Sequence, residues 1–355
     1  MDKFMTNKTM YYPDRICSII NKGICGPVQA EITLTTACDY KCPWCVFDYM
    51  KSKPVTSIDY NKLVNFLEDF RYLGGKSVVY AGSGEPTLHK DFINILNTTK
   101  KLGIPFGVTT NGSIMSDEMI ETLTETASWV RVSLGSIYTE EFIEAHGAKA
   151  FHLDNVKNNL VKLVQSKQKY KRNVEIGVQS LITSNDEMTY LDIVHFCDMI
   201  DVDYVMLRPF YPNPNNPVSI NQKFELPRDV LNEIVTVVGQ AKTNHTKVFA
   251  RMETLDLMYK KSYNLCRFLP FVFALESDGR VFNCFPNRKD ESEFCVGNIN
   301  ENSLLEIWGG EKHKKFLNEI MPGIDKSECQ PYCRHHAGNE YMESLFSPPE
   351  GVEFI

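Results

Sequence analysis

The chain has 355 residues, 43 % of them hydrophobic and 23 % charged, with a net charge of -7. That apolar share sustains a sizeable core, the length allows one large domain with an appendage, and the negative balance argues against gripping nucleic acid through phosphate neutralisation. No apolar run approaches membrane-spanning length, and the N-terminal Met1-Asp-Lys-Phe-Met-Thr-Asn-Lys lacks the apolar centre of a signal peptide.

In chain order, residues 1–27 form a short lead-in holding Cys17 and Cys25, both read as ordinary thiols, like Cys197. Strand-like and helix-like segments then alternate, the signature of a parallel α/β architecture. The strands are expected at Gln29–Thr35, Ser77–Ala81, Phe106–Thr110, Trp129–Leu134, Val174–Leu181 and Asp203–Leu207. Between them, Ile58–Tyr72 carries Leu63, Val64, Phe66, Leu67 and Phe70 at helical spacing and stops at Gly74-Gly75. Phe92–Leu102, Asp117–Glu125, Leu153–Tyr170 and Met188–Ile200 read the same way. A doubly wound open sheet would alternate identically. The polar motifs fall at the C-terminal ends of successive strands, where parallel α/β folds build their sites, and this favours a partial (β/α)6 TIM-like barrel. Tyr211–Pro227, rich in Pro and Asn, reads as a linker or lid, and a helix is expected from Arg228 to Thr243. Past Cys266 come short strands, a turn at Ser277-Asp-Gly-Arg and a helical run from Ser303 to Ile320. The expected organisation is a lead-in (1–27), a barrel (28–245), a small α+β domain (246–340) and a tail (341–355).

Eleven cysteines without an export signal point to metal ligands rather than disulfides, and to a reducing cytoplasm. Cys38, Cys42 and Cys45 stand as C-x3-C-x2-C after the first strand, and no other cysteine follows until Cys197. A structural zinc site wants a fourth protein ligand and a closed electron-transfer cluster a fourth cysteine. Three thiolates hold three corners of a four-iron cluster and leave one iron open. This loop, with Trp44 before its last cysteine, resembles that of the radical S-adenosylmethionine (SAM) enzymes. The resemblance implies that SAM binds the open iron and is cleaved reductively to methionine and a 5′-deoxyadenosyl radical, fed by a flavodoxin- or ferredoxin-type electron donor.

After the second strand, Gly82-Ser83-Gly84-Glu85-Pro86 resembles the family's glycine-glycine-glutamate-proline motif for the SAM amino group. Read physically, its glycines admit close backbone approach and Glu85 offers a carboxylate to an ammonium. The resemblance further implies SAM contacts at Asn111 after the third strand, Ser133 on the fourth, Gln179 on the fifth and Met206-Leu207 on the sixth. Trp44 is expected to pack on adenine. Arg208 ends the sixth strand with a guanidinium suited to a carboxylate or phosphate, a candidate catalytic or substrate-binding group. His89 reads as a capping or packing residue, and His146-Gly147 as a surface turn.

Cys266 and Cys284 frame Gly279 in a C-x(9–15)-G-x4-C pattern that resembles the opening of SPASM and twitch extensions, which carry auxiliary iron–sulfur clusters. A hairpin of Phe271–Glu276 with Arg280–Asn283 would bring the two thiolates together, and Cys329 and Cys333 supply a second pair. The C-x2-C-x5-C-x3-C run of a full SPASM domain is absent, which favours the shorter twitch form. The C-x3-C spacing leaves the fourth ligand open to Cys295, His335 or His336, and zinc is the alternative metal. The resemblance implies a radical SAM oxidoreductase, with alcohol-to-ketone oxidation of a sugar or cyclitol as the specific reading. Modification of a ribosomal peptide is the runner-up, set against by the short lead-in, and a non-catalytic zinc scaffold is the alternative from another class.

Overall fold

The computed structural model describes residues 7–47, 53–210, 226–250, 261–285, 288, 292–326, 329 and 333–354. Most of the expected linker, and part of the stretch that opens the expected small domain at 246, lie outside the described residues. The chain divides into two compact units: Ile32–Tyr60 with Val78–Met252, and Met1–Glu31 with Asn61–Ser77 and Glu253–Ile355. The N-terminal segment therefore shares a unit with the C-terminal third.

The first unit is built on a parallel sheet. After the first strand, β1 (Gln29–Ile32), strands β2 (Ser77–Tyr80), β3 (Phe106–Thr110), β4 (Trp129–Ser133), β5 (Glu175–Ile182), β6 (Tyr204–Pro209) and β7 (Lys247–Ala250) follow one another in chain order, with β2 to β7 each parallel to the last. A doubly wound sheet reverses its strand order at one point; this run has no reversal, so it is the partial-barrel form of the fold. The interior residues Val78, Val108, Val130, Val132, Ile176, Val178, Val205 and Leu207 are all buried, as expected for parallel strands covered on both faces. Helices at Phe92–Lys101, Asp117–Thr126, Ala150–Lys169 and Glu187–Met199 form the crossovers. Ser116 caps the second of these by accepting from Met119 N at 3.1 Å, and Asp186 caps the last. A further helix, Thr139–His146, ends in the left-handed Gly147 (φ 55°).

In the second unit, Val272–Leu275 (β8), Arg280–Phe282 (β9) and Cys295–Asn298 (β10) form an antiparallel meander. The β8–β9 turn relies on Gly279 at φ +90°, whose N–H donates to Glu276 O at 2.9 Å. The lead-in is more than a connector. Residues Pro13–Lys22 form a helix, with Pro at its start and Gly23 at φ 72° after its end. Its Ile16 and Ile19 join Cys25, Phe271, Phe282, Phe285 and Met342 in one core cluster. In the helix Tyr60–Tyr72, Phe66 and Phe70 meet Phe273 edge-on at 5.6 and 5.8 Å.

A buried charge network closes this unit. Arg288, wholly inaccessible, donates to Glu276 at 2.7 Å and to Glu31, and Arg334 donates to the other Glu31 oxygen at 2.8 Å. Burial alone would push the Glu31 carboxyl up. The charges and hydrogen bonds of Arg334 and Arg288 outweigh it and bring Glu31 down to about 2. The described residues include no helix long and apolar enough to cross a membrane.

Candidate functional site

The three-cysteine loop follows the first strand, Gln29–Ile32, and its base is clamped. Thr35 Oγ1 accepts from Ala37 N at 3.1 Å and Ser57 Oγ at 2.8 Å, and Thr36 N donates to Thr56 O at 2.9 Å. Cys38 is exposed, Cys42 and Cys45 are half-buried, and Cys45 N donates to Cys42 O at 3.2 Å. Asp39, singled out by no motif, anchors the loop from within. Its carboxylate accepts from Asn111 Nδ2 at 2.6 Å and from Ser113 Oγ, with His152 Nε2 at 3.7 Å.

The glycine motif packs directly on this loop. A Cβ on Gly84 would lie 2.2 Å from Thr35 O and 2.6 Å from Ala37 O, and one on Gly82 would lie 1.9 Å from Thr33 Oγ1. The space these glycines leave is thus occupied by the cysteine loop's own chain. Glu85 N donates to Ala37 O at 2.7 Å. The Glu85 carboxylate is buried and accepts from Thr87 N at 3.1 Å, Thr87 Oγ1 at 2.9 Å, Thr110 Oγ1 at 2.6 Å and Asn111 N at 2.7 Å. Burial still holds this carboxyl above the ordinary carboxylate range, against those hydrogen bonds. Pro86 opens the short 3-10 turn that follows. Glu85 and Asn111 act here as internal ties between the ends of β2 and β3. His89 is a packing residue, with Nε2 at 2.9 Å from Ile58 O.

On the sheet, Ser133, Gln179, Met206 and Phe249 share one rung of registered neighbours, so their side chains leave the same face. Gln179 Oε1 is buried without a hydrogen-bond partner, an orphan acceptor that wants a ligand or water. Met206 and Leu207 are core-buried, whereas Arg208 is half-buried at the C-terminal end of β6, in register with Leu181. Trp44 clusters with Ala145, Phe210, Cys42 and Leu181. The loop thereby reaches the ends of β5 and β6.

His146 corrects the surface-turn reading. It is buried on the inner face of its helix, four residues after buried Phe142. Its Nε2 accepts from Gly135 N at 2.8 Å and its Nδ1 lies 3.7 Å from Cys42 Sγ. Burial pushes its pKa down to about 4, so the ring is neutral near pH 7. Spacing from Phe142 and the glycine after it were the available signals; the contact with a loop 104 residues away was not.

In the other unit, Cys266, Cys284, Cys329 and Cys333 line one cavity, together with Tyr263, Leu269, Phe294, Ile324, Lys326 and His335. Burial is the largest cause raising the Cys266 thiol well above its ordinary range, followed by the charges of Cys333 and Cys284. Cys333 is raised by burial as well. Asn339 Nδ2 lies 3.4 Å from Cys266 Sγ while its Oδ1 accepts from Phe268 N at 2.9 Å. Of the three alternative donors, only His335 lines the cavity; Cys295 sits on β10 with its thiol toward Gly297 O, and His336 faces Glu340 at 3.3 Å. His335 Nε2 is buried without a hydrogen-bond partner, its ring stacked on Phe268 at 4.3 Å.

Both donor sets suit iron–sulfur clusters. Soft sulfur ligands select such clusters or zinc, one set offers three thiols on a partly exposed loop, and the other offers four around one cavity. Among the described residues, no three or more Cys, His, Asp or Glu groups are already arranged to hold a single metal ion.

Comparison with known proteins agrees. The radical SAM superfamily model matches residues 32–198, and the SPASM iron–sulfur cluster-binding model matches residues 266–335. A tungsten-containing aldehyde ferredoxin oxidoreductase cofactor-modifying protein of Pyrococcus furiosus is 23 % identical over 325 residues, 85 % of this chain and 87 % of that protein. The crystal structure of Streptococcus suis SuiB bound to precursor peptide SuiA superposes with a TM-score of 0.65 at 15 % identity, covering 92 % of this chain and 75 % of SuiB. Native anSMEcpe with bound AdoMet gives 0.60 at 16 % identity, covering 90 % of this chain and 97 % of that one.

Proposed function

From a chain that belongs to the radical SAM superfamily and carries a SPASM iron–sulfur domain, we propose an enzyme that oxidatively modifies its substrate by hydrogen-atom abstraction. When bound, the [4Fe-4S] cluster and SAM supply reductive cleavage of SAM to a 5′-deoxyadenosyl radical, and the auxiliary cluster supplies an acceptor for the substrate's second electron. Cys38, Cys42 and Cys45 hold the first cluster, and the loop of Gly82, Ser83, Gly84, Glu85 and Pro86 supports the SAM amino group. Glu85 acts by fixing this turn rather than by lending a free carboxylate. Ser133 and the unpartnered Gln179 Oε1 serve the ribose, Trp44 and the backbone of Met206-Leu207 flank adenine, and Arg208 orients substrate. Asn111 holds Asp39 and through it the cysteine loop. Cys266, Cys284, Cys329 and Cys333 hold the auxiliary cluster. A small flavodoxin or ferredoxin supplies the first electron.

The observation that carries this reading is the pairing of an incomplete three-thiol loop with a four-thiol cavity in one chain. Oxidation of a sugar or cyclitol alcohol to a ketone fits that electron inventory. A peptide substrate is the second reading, supported by the likeness over most of the chain to SuiB, whose structure holds its precursor peptide. Anaerobic reconstitution with SAM and a reductant tests the common core: 5′-deoxyadenosine should form, with iron and sulfide for at least two clusters. Neither would form in a zinc scaffold. Incubation with cyclitols and with peptides encoded beside the gene separates the substrates, since one deoxyadenosine per oxidised product is expected only from the true class.

A further inference from the structure

The two ring nitrogens of His146 have different partners, and this fixes where its proton sits. Nε2 lies 2.8 Å from the backbone nitrogen of Gly135. A backbone N–H can only donate, so Nε2 accepts, and the proton of the neutral imidazole is left on Nδ1. Nδ1 faces Cys42 Sγ at 3.7 Å. A protonated ring would set N–H against N–H at Gly135, so the backbone itself disfavours that state.

The arrangement is fitted closely. A Cβ on Gly135 would stand 3.0 Å from His146 Nε2 and 2.8 Å from Ala145 Cβ, so a larger residue would displace the ring. The His146 carbonyl accepts from Lys41 N at 3.2 Å, which ties its backbone to the same loop. Tyr40, Phe142 and Trp44 flank the ring at centroid distances of 5.5, 4.8 and 6.0 Å. These contacts leave it one orientation.

We propose that His146 is a positioning residue that delivers a single fixed N–H hydrogen bond to the Cys42 thiolate and thereby raises the reduction potential of the cluster on Cys38, Cys42 and Cys45. Adding an electron makes the cluster and its thiolates more negative, and a donor aimed at sulfur stabilises that state more than the oxidised one. The inference rests on the cluster reading above and assigns His146 a part in it without direct contact to SAM or substrate.

The test uses the full-length chain, anaerobically reconstituted and titrated by EPR at poised potentials. His146→Leu removes the donor, and His146→Asn returns an N–H near the Nδ1 position. At a potential where half the wild-type cluster is reduced, the Leu variant should show a reduced-to-oxidised ratio lower by roughly tenfold, or 59 mV for one electron. The Asn variant should recover most of that loss. In the wild type, ¹⁵N-histidine labelling should convert a ¹⁴N coupling into a ¹⁵N one in the pulsed-EPR spectrum of the reduced cluster on Cys38, Cys42 and Cys45, a readout needing no variant. Fully loaded variants with wild-type potential, an Asn variant as low as Leu, or a wild-type cluster without the histidine coupling would each overturn the proposal. A loop that binds no iron would remove the cluster reading and this inference together, whereas a loaded loop with unchanged potential removes this inference alone.

Discussion

The two cysteine sets differ in number and surroundings. Cys38, Cys42 and Cys45 sit on a loop held by polar ties: Asp39 to Asn111 and Ser113, and Thr35 to Ser57. Cys266, Cys284, Cys329 and Cys333 line a cavity whose other walls include Tyr263, Leu269, Phe294 and Ile324. Each set nevertheless has one neutral side chain whose orientation a backbone N–H decides: His146, pinned by Gly135, faces Cys42, and Asn339, pinned by Phe268, faces Cys266. The lesson is a division of labour. On the function proposed above, three thiols on a polar, partly exposed loop would leave a metal corner for a ligand, and four around one cavity would close the coordination shell.

The largest expected effect breaks this contrast outright. Replacing Cys38, Cys42 and Cys45 together by alanine should abolish 5′-deoxyadenosine formation, whereas Cys266→Ala with Cys284→Ala should leave it measurable while product disappears, as read by quantitative chromatography of both. Arg288→Met comes next, because it removes a buried guanidinium that donates to both Glu276 and Glu31. Breaking a buried pair costs about 3–5 kcal/mol, so the unfolding free energy of the four-thiol unit, read by denaturant titration, should fall by that order. The same network predicts acid sensitivity. Glu31 has its folded pKa lowered to about 2 from 4.5, so its contribution is full above pH 4.5 and is lost as pH falls toward 2, which acid titration followed by circular dichroism would show. Gly84→Ala should cost about 1–3 kcal/mol by overpacking against Thr35 O and lower the iron held by the three-cysteine loop. The smallest effect is that of Asn339→Leu, a modest fall in the auxiliary cluster's potential in redox titration, with the SAM-cleaving cluster unmoved.

Much of this was legible in the sequence wherever information was local. Phe106–Thr110 is a strand at its expected ends, and Tyr60–Tyr72 is the helix its apolar spacing requires. Lys247–Ala250 is silent in the sequence because a four-residue strand starting at an exposed lysine carries little periodicity. Pro13–Lys22, expected only as part of a lead-in, does carry local helix signals, Pro at its start and Gly23 after its end. The run Ser303–Ile320 is broken at Gly309-Gly310 into Leu304–Ile307 and Glu311–Lys315, followed by a π-helical turn. The clustered cysteines announce themselves by spacing, whereas Asp39 and His146 act through partners 72 and 104 residues away, which no window along the chain reveals.

The most direct test is Mössbauer spectroscopy of the iron-57-loaded protein before and after adding SAM. One cluster, absent from the Cys38/Cys42/Cys45 alanine variant, should change the signature of a single iron site, while the cluster held by the cavity cysteines stays as it was. SAM that leaves every iron site unchanged, or that perturbs the cluster surviving in that variant, would contradict the account.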